Sequence, residues 1–428
     1  MDFSNNYNKQ QEEFAKEVRA WLEENVPKDL VKPKRILDMS RKEWERRRDL
    51  CRKLGEKGWL YPTSPREYGG GGLNGDKAAV LNIEIAQQGF SLPPLYDSGR
   101  LAVPTLMACA TDEQKKRLLP QILKGEAVTW QLFTEPEAGT DEANQQTNAL
   151  RSVKEKDYFI VNGGKIFVGA LYAPPDQFLL LTRSSLEAPR HQNLAMFLAP
   201  ADLPGVQIFP LNLFPDGTFS QVCYGSSDSA PGVKHSVFFE DVKIHESFLI
   251  GGEQDGWKVT NATLQVEHGD RASGQPSGQA RTGAAYIPGA AYIPRNQVVD
   301  KFLDQCRNNS EIRRRLMENP QLQGDMVEAY IGGEIERLFH LRTIGLRRSG
   351  KRAAHAGLQN TLFTKTFGMN MTGYLSKVLG PHALTSDEDW GLEEGLFEVC
   401  ERNGICIAPG GTPEALKIVI SRALRIGR

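Results

Sequence analysis

The residues with the types and spacing to do chemistry gather in one stretch, Thr129-Trp130-Gln131-Leu132-Phe133-Thr134-Glu135-Pro136-Glu137-Ala138-Gly139-Thr140-Asp141. An apolar run rich in β-branched and aromatic residues stops at Thr134, and Pro136, Gly139 and Thr140 follow in a short polar turn. A strand that opens this way can aim backbone N–H groups and hydroxyls at a ligand, and it can also be an ordinary strand end. Other catalytic patterns are missing from the letters. The seven histidines, at 191, 235, 245, 268, 340, 355 and 382, fall in no HExxH or similar metal spacing, and there is no GxSxG, which disfavours metal hydrolysis and serine-triad chemistry. Tyr68-Gly69-Gly70-Gly71-Gly72-Leu73 has neither GxGxxG spacing nor a GK[ST] ending, so it reads as a flexible loop and not a phosphate cradle.

The elements that must position the turn are legible from periodicity. A chain of 428 residues can bury a sizeable interior and suggests more than one domain. Between Gln10 and Val26 the apolar residues Phe14, Val18, Trp21, Leu22 and Val26 recur at helical spacing. Ser40 followed by Glu43 predicts a capping box for a second helix, a third runs from about Asp76 to Gln88, and Thr111 caps Asp112 to Leu123. From Val128 to about Ile250 the pattern becomes short β-rich runs: Tyr158 to Val161, Lys165 to Val168, Phe178 to Thr182, Ala195 to Ala199, Val206 to Phe209 and Val237 to Val242. Helical periodicity returns after Gly256-Trp257 and continues to Arg428. It is interrupted by an inserted loop in which Gly283-Ala284-Ala285-Tyr286-Ile287-Pro288 is repeated at once as Gly289-Ala290-Ala291-Tyr292-Ile293-Pro294. The expected architecture is α+β in three parts: a helical domain over 1–125, a β domain over 126–252 and a helical domain over 253–428.

Composition narrows the partners. Lys plus Arg at 52 against Asp plus Glu at 53 leaves net charge -1, with no overall basic field to draw a phosphate backbone, so nucleic acid is not expected. The six cysteines show no CxxC spacing, which predicts neither a zinc site nor a disulfide framework and fits a reducing compartment. No apolar run is long enough to cross a bilayer, and the expectation is a soluble cytoplasmic protein with no membrane partner.

The turn Thr134 to Asp141 resembles the "TEPxAGSD" signature of the acyl-CoA dehydrogenase family. Other segments follow in that family's order. Gln114-Lys115 through Leu119-Pro120 to Gly125-Glu126 is similar to "eQKxxxLPxixxGe", and Asn162-Gly163-Gly164-Lys165-Ile166-Phe167 to "NGxKxW". Phe239-Glu240-Asp241-Val242 is similar to "FxDVxVP", and Gly410-Gly411-Thr412 to the C-terminal "GGTxEIxxxxI". The resemblance implies a middle β-barrel domain between an N-terminal helical domain and a C-terminal helical bundle. It also implies FAD, an acyl-CoA substrate, electron-transfer flavoprotein as acceptor, and a dimer or tetramer, with a homotetramer as the first expectation.

The implied reaction is α,β-desaturation of the thioester. A general base must take the α-proton, and donors must face the carbonyl oxygen where enolate charge develops. No side chain accepts the β-hydride well, so a cofactor must. The family's commoner base position, just before the "GT" of the last motif, is Gly410 here, so the resemblance moves the base to Glu267 on the first long C-terminal helix, where His268 replaces the usual Arg. Gly410 keeps a backbone N–H that can donate to the thioester carbonyl. The implied flavin contacts are Gln131, Phe133, Thr134, Thr140, Phe167 in place of the family's Trp, and Thr412. Gly169 stands where the family has a hydroxyl. No "RxxFG" or "QxxGGxG" segment is present, and Arg281 and Arg295 remain equal candidates for the pyrophosphate.

Two other readings compete. One is a base-deficient subunit that binds FAD or acyl-CoA beside an active paralogue in a hetero-oligomer. The other is a related flavoenzyme acting on a non-thioester. The letters leave acyl length, branching and any ring open.

Overall fold

The computed structural model describes residues 7–30, 40–87, 99–169, 172–211, 234–267, 295–348, 354–384 and 412–426. Helix α1 (Lys9–Asn25) opens on a capping box in which the Asn8 side chain and Gln11 exchange bonds with each other's backbone N–H at 2.9 Å. It buries Phe14, Ala15, Val18 and Leu22, the face its spacing predicts. Helix α2 (Arg41–Glu56) starts at Ser40, whose hydroxyl accepts from the Glu43 N–H. Glu43 does not complete the expected capping box. Its carboxylate accepts instead from Arg47 at 2.7 Å, and both side chains are buried, where an unpaired guanidinium would be costly.

The glycine run differs from the expected flexible loop. A Cβ on Gly70 would lie 2.3 Å from the Ser64 carbonyl oxygen, and one on Gly71 2.2 Å from that of Gly58, so backbone packs on backbone there. Helices α3 (Gly75–Gln87), α4 (Gly99–Cys109) and α5 (Asp112–Leu123) complete the N-terminal layer. Thr111 caps α5 as predicted, with Gln114 returning the bond.

Among the described residues the middle of the chain forms one sheet of eight strands: β1 (Thr129–Leu132), β2 (Asn148–Arg151), β3 (Tyr158–Val168), β4 (Gln177–Arg183), β5 (Leu194–Pro200), β6 (Val206–Leu211), β7 (Lys234–His245) and β8 (Leu249–Ile250). The order is β6-β7-β3-β2-β4-β5-β8, with β1 parallel to β4. The two predicted runs at 158–161 and 165–168 are a single strand, broken in register by irregularities at Val161/Gly163 and Lys165/Val168. The sheet curls until strands that are not neighbours touch through their rings: Phe159 meets Phe197 at 5.1 Å, and Phe178 meets Phe239 at 6.1 Å.

That roll encloses one core of Trp130, Leu132, Phe159, Phe178, Phe197, Val237 and Phe239. Its outer face forms a second core, in which Leu179, Leu181, Met196 and Leu198 pack with α4 and α5. Strands β4 and β5 are therefore apolar on both faces, which is why they read as continuous hydrophobic runs.

Helices α6 (Gly256–Glu267), α7 (Arg295–Asn308), α8 (Ser310–Met317), α9 (Pro320–Arg348), α10 (Ala354–Leu379) and α11 (Pro413–Ala423) form the last part. Phe302, Met326, Phe367, Met371 and Leu375 make a core shared by α7, α8, α9 and α10, while Leu416 and Ile420 of α11 pack with Leu358 of α10. At Val378-Leu379-Gly380 the chain leaves α10 under Arg315, which donates to the Val378 and Lys377 carbonyls. The duplicated hexapeptide and Arg281 lie outside the described residues.

Candidate functional site

The turn after β1 is held in place from beneath. The Thr134 carbonyl accepts from the Ile166 N–H at 2.9 Å, and the Phe133 carbonyl accepts from the Lys165 ammonium at 3.2 Å. Glu135 and Ala138 exchange backbone bonds at 3.0 and 3.1 Å, which closes the turn. The Glu135 carboxylate then accepts from the Lys165 ammonium at 2.7 Å and from the Gln146 and Thr147 N–H groups. Gln145 completes the ring of acceptors around Lys165. Burial pulls the Lys165 ammonium down to about 8 against the opposing attraction of Glu135. Lys165 was visible as a letter of a motif, but its role as the clamp of the turn was not. The signal that could have found it is a lysine at an alternate, inward position of a strand, which demands a buried acid.

Phe167 follows directly. The irregularity at Lys165/Val168 leaves it with φ 58°, a left-handed backbone unusual for an aromatic residue, and its side chain is 49% exposed. Backbone strain and a solvated ring are both unfavourable. The fold tolerates both at the residue that borders Thr134 through Ile166, and strain of this kind concentrates at ligand sites. Two residues on, Gly169 has φ 62°, and a Cβ there would lie 2.2 Å from the Trp130 ring. The hydroxyl missing from this position has no room while Trp130 is present. His235 stacks on the Trp130 indole, with ring centroids 4.6 Å apart.

The remaining predicted contacts spread around this clamp. Gln131 is half-buried in β1, and Thr134 is half-buried at the turn. The Phe133 ring is buried in the core shared with α4 and α5, so its backbone, not its ring, belongs to the turn. Thr140 is exposed beside Asp141, which pairs with Arg190. Thr412 is the N-cap of α11, its hydroxyl accepting from the Ala415 N–H at 3.2 Å with Pro413 next, as the sequence predicts. Among the described residues no bond connects Thr412 to the turn. Gly410 lies outside them. No group of three or more metal-ligating side chains occurs among the described residues, and no described helix is long and apolar enough to cross a membrane.

Helix α6 is seated over the same sheet. A Cβ on Gly256 would lie 2.3 Å from the Leu194 backbone, so the helix starts in direct contact with β5. Thr263 on α6 and Thr105 on α4 share a buried hydroxyl bond at 2.8 Å. Val259 belongs to the core that holds the Phe133 ring. Buried Val259, Thr260 and Thr263 trace one row, and position 267 falls one turn further along it. The side chain of Glu267 lies outside the described residues.

Comparison with known proteins agrees with this layout. The family model for the acyl-CoA dehydrogenase N-terminal domain matches residues 8–126, and that for the middle domain matches 131–213. "Acyl-CoA dehydrogenase IpdE1" of Mycolicibacterium smegmatis is 27% identical over 352 residues, covering 79% of this chain and 80% of its own. "Acyl-CoA dehydrogenase FadE26" of Mycobacterium tuberculosis is 26% identical over 430 residues, covering 97% and 96%. Among solved structures, the "Tcur3481-Tcur3483 steroid ACAD" superposes with a TM-score of 0.72 at 24% identity over 100% of both chains. The ChsE4-ChsE5 complex from Mycobacterium tuberculosis does so with 0.70 at 23%, also over 100% of both. At those identities the structures speak for the fold. Two successive domain models, matched in order on the helical layer and the sheet that clamps the turn, make this chain a member of the acyl-CoA dehydrogenase family, whose cofactor is FAD.

Proposed function

We propose that this chain desaturates an acyl-CoA thioester between its α and β carbons, with Glu267 taking the α-proton. One observation supports the reading above the others: Phe133 of the clamped turn and Val259 of α6 share one core, so the helical row ending at position 267 crosses the same sheet as the turn. Bound FAD supplies the acceptor for the β-hydride. The chain's own residues hold and shield. The exposed Phe167 ring offers a flat apolar surface next to Thr134, which fits a planar heteroaromatic ring. The backbone N–H of Gly410 is the proposed donor to the growing enolate charge, and the start of α11 at Thr412 favours an anionic phosphate nearby. Electrons leave to an electron-transfer flavoprotein, and the working form is a cytoplasmic homo-oligomer, a dimer or tetramer.

A second reading has its own support. Trp130 fills the space a hydroxyl at 169 would need, and two structural neighbours are named as two-component proteins. A subunit that binds FAD or acyl-CoA but relies on a partner's base would look the same here. Anaerobic mixing with a panel of acyl-CoAs separates the readings: bleaching of the flavin supports the dehydrogenase, and bound flavin that stays oxidised with every thioester supports the subunit. Glu267→Gln should keep its flavin content and lose bleaching. Flavin reduction at the parent rate in that variant excludes Glu267 as the base.

A further inference from the structure

Helix α6 is held at two levels. Gly256 sets its first turn against the β5 backbone, and further along the helix Thr263 bonds Thr105 of α4 at 2.8 Å, with both residues shut off from solvent. The bond lies in apolar surroundings, flanked by Val103 and Leu106 of α4 and Val259 of α6, which share one core. Two methyl groups would fill such a place with less desolvation, but they would stand about 3.5–4 Å apart, and the hydroxyls bring the helices closer than that.

Each hydroxyl has one proton to give. That of Thr105 is 2.7 Å from the Leu101 carbonyl and that of Thr263 is 3.0 Å from the Val259 carbonyl, one turn back in its own helix. One hydroxyl therefore donates to its own helix and accepts the other's proton, so a bond crosses between the helices in either arrangement. β-Branching leaves each side chain few rotamers, which makes the bridge short and stiff. It also falls where α4 needs support, because Pro104, next to Thr105, gives no N–H to the preceding turn.

We infer that the Thr105–Thr263 bond positions the general base, which rests on the reading of Glu267 proposed above. Positions 263 and 267 follow each other on one row, about 6 Å apart along the axis. With the first turn fixed at Gly256, α6 is a lever, and a shift at 263 is enlarged about 1.6-fold at 267. Exchanging a hydroxyl for a methyl widens the contact from 2.8 Å to about 3.5 Å and carries the end of the helix by about 1 Å. A displacement of that size at a reacting group costs up to about 100-fold in rate. Neither threonine need touch a reacting atom, because each acts through the place it gives to Glu267.

Thr263→Val keeps the size of the side chain and removes its hydroxyl. In the flavin-loaded chain, mixed anaerobically with an acyl-CoA that bleaches the parent, this variant should reduce its flavin on the order of 10- to 100-fold more slowly at saturating thioester. Half-saturation should change by less than about 3-fold and flavin content should not change, since the substitution leaves binding in place. Thr263→Ser should return the rate to within about 3-fold of the parent. Thr105→Val should give the same loss from the other helix, and the double variant no more than either alone. Amide hydrogen exchange over residues 263–267 needs no substrate. It should speed up on the order of 10-fold in both valine variants and recover in Thr263→Ser. Valine variants that bleach at the parent rate, a serine variant no faster than valine, losses that multiply in the double variant, or unaltered exchange overturn the inference. A parent flavin that stays oxidised with every thioester, or Glu267→Gln bleaching at the parent rate, overturns the base assignment and the positioning role with it, while exchange that responds as stated shows that the bond still pins the helix.

Discussion

The Lys165 ammonium stands 2.7 Å from the Glu135 carboxylate with neither side chain reached by solvent, and the same ammonium bonds the Phe133 carbonyl. The turn that faces the proposed flavin is thus fixed by a charge pair and not by apolar packing alone. Two buried charges are costly unless every lone pair and proton is used, and here Gln145, Gln146 and Thr147 use them.

Lys165→Met should be severely destabilising, by about 3–5 kcal/mol, because it leaves the Glu135 carboxylate buried without its counter-charge. Adding Glu135→Gln should recover part of that loss, since the amide oxygen still accepts from the 146 and 147 N–H groups. Urea unfolding of both single variants and the double variant gives the coupling directly. Independent, additive losses would show that the pair is not the clamp described here.

Much of this was readable in the letters, and the parts that were not share a cause. The caps at Ser40, Thr111 and Thr412, the apolar face of α1 and the span of α5 follow from local spacing, so they could be placed without tertiary information. In the sequence strand β3 reads as two runs because Asn162-Gly163-Gly164 carries turn letters. Its continuity comes from pairing with β7, and Gly163 is needed because Thr147 lies under it, a contact that depends on another strand. Local spacing points Glu43 to a cap, but its carboxylate pairs with buried Arg47 four residues on, a contact decided by burial. The turn is legible in its letters, but the strain at Phe167 and the ring filling the space beside Gly169 exist only in three dimensions.

Gly169→Ser would restore the hydroxyl typical of the family at this position and should still be harmful. The new Cβ would meet Trp130 at 2.2 Å, and φ 62° suits glycine far better than serine. A loss of about 2 kcal/mol is expected, or roughly 4–8 °C in the unfolding midpoint of the middle domain. Thermal unfolding followed by tryptophan fluorescence measures it. A midpoint equal to the parent's would mean that the Trp130 ring does not occupy that space.

His235 makes the stability of the sheet sensitive to mild acid. It is buried against Trp130, and its Nδ1 has no partner among the described residues. Burial pushes its pKa down to about 4, with nearby Lys234 adding to the fall and a bond to the Val168 backbone opposing it. The sign follows from proton counting. Between pH 6.5 and about 4 the unfolded chain holds a proton at this position that the folded chain does not, so stability falls as pH drops through that window and is not lost further below it. The share due to this group is about 2 kcal/mol between pH 8 and pH 5. His235→Phe keeps a flat ring against the indole and removes the titration. The variant may be compared with the parent by urea unfolding at pH 8, 6 and 5: the parent should lose about 2 kcal/mol more than the variant across that range, and parallel losses would mean that His235 is protonated in the folded chain as readily as in the unfolded one.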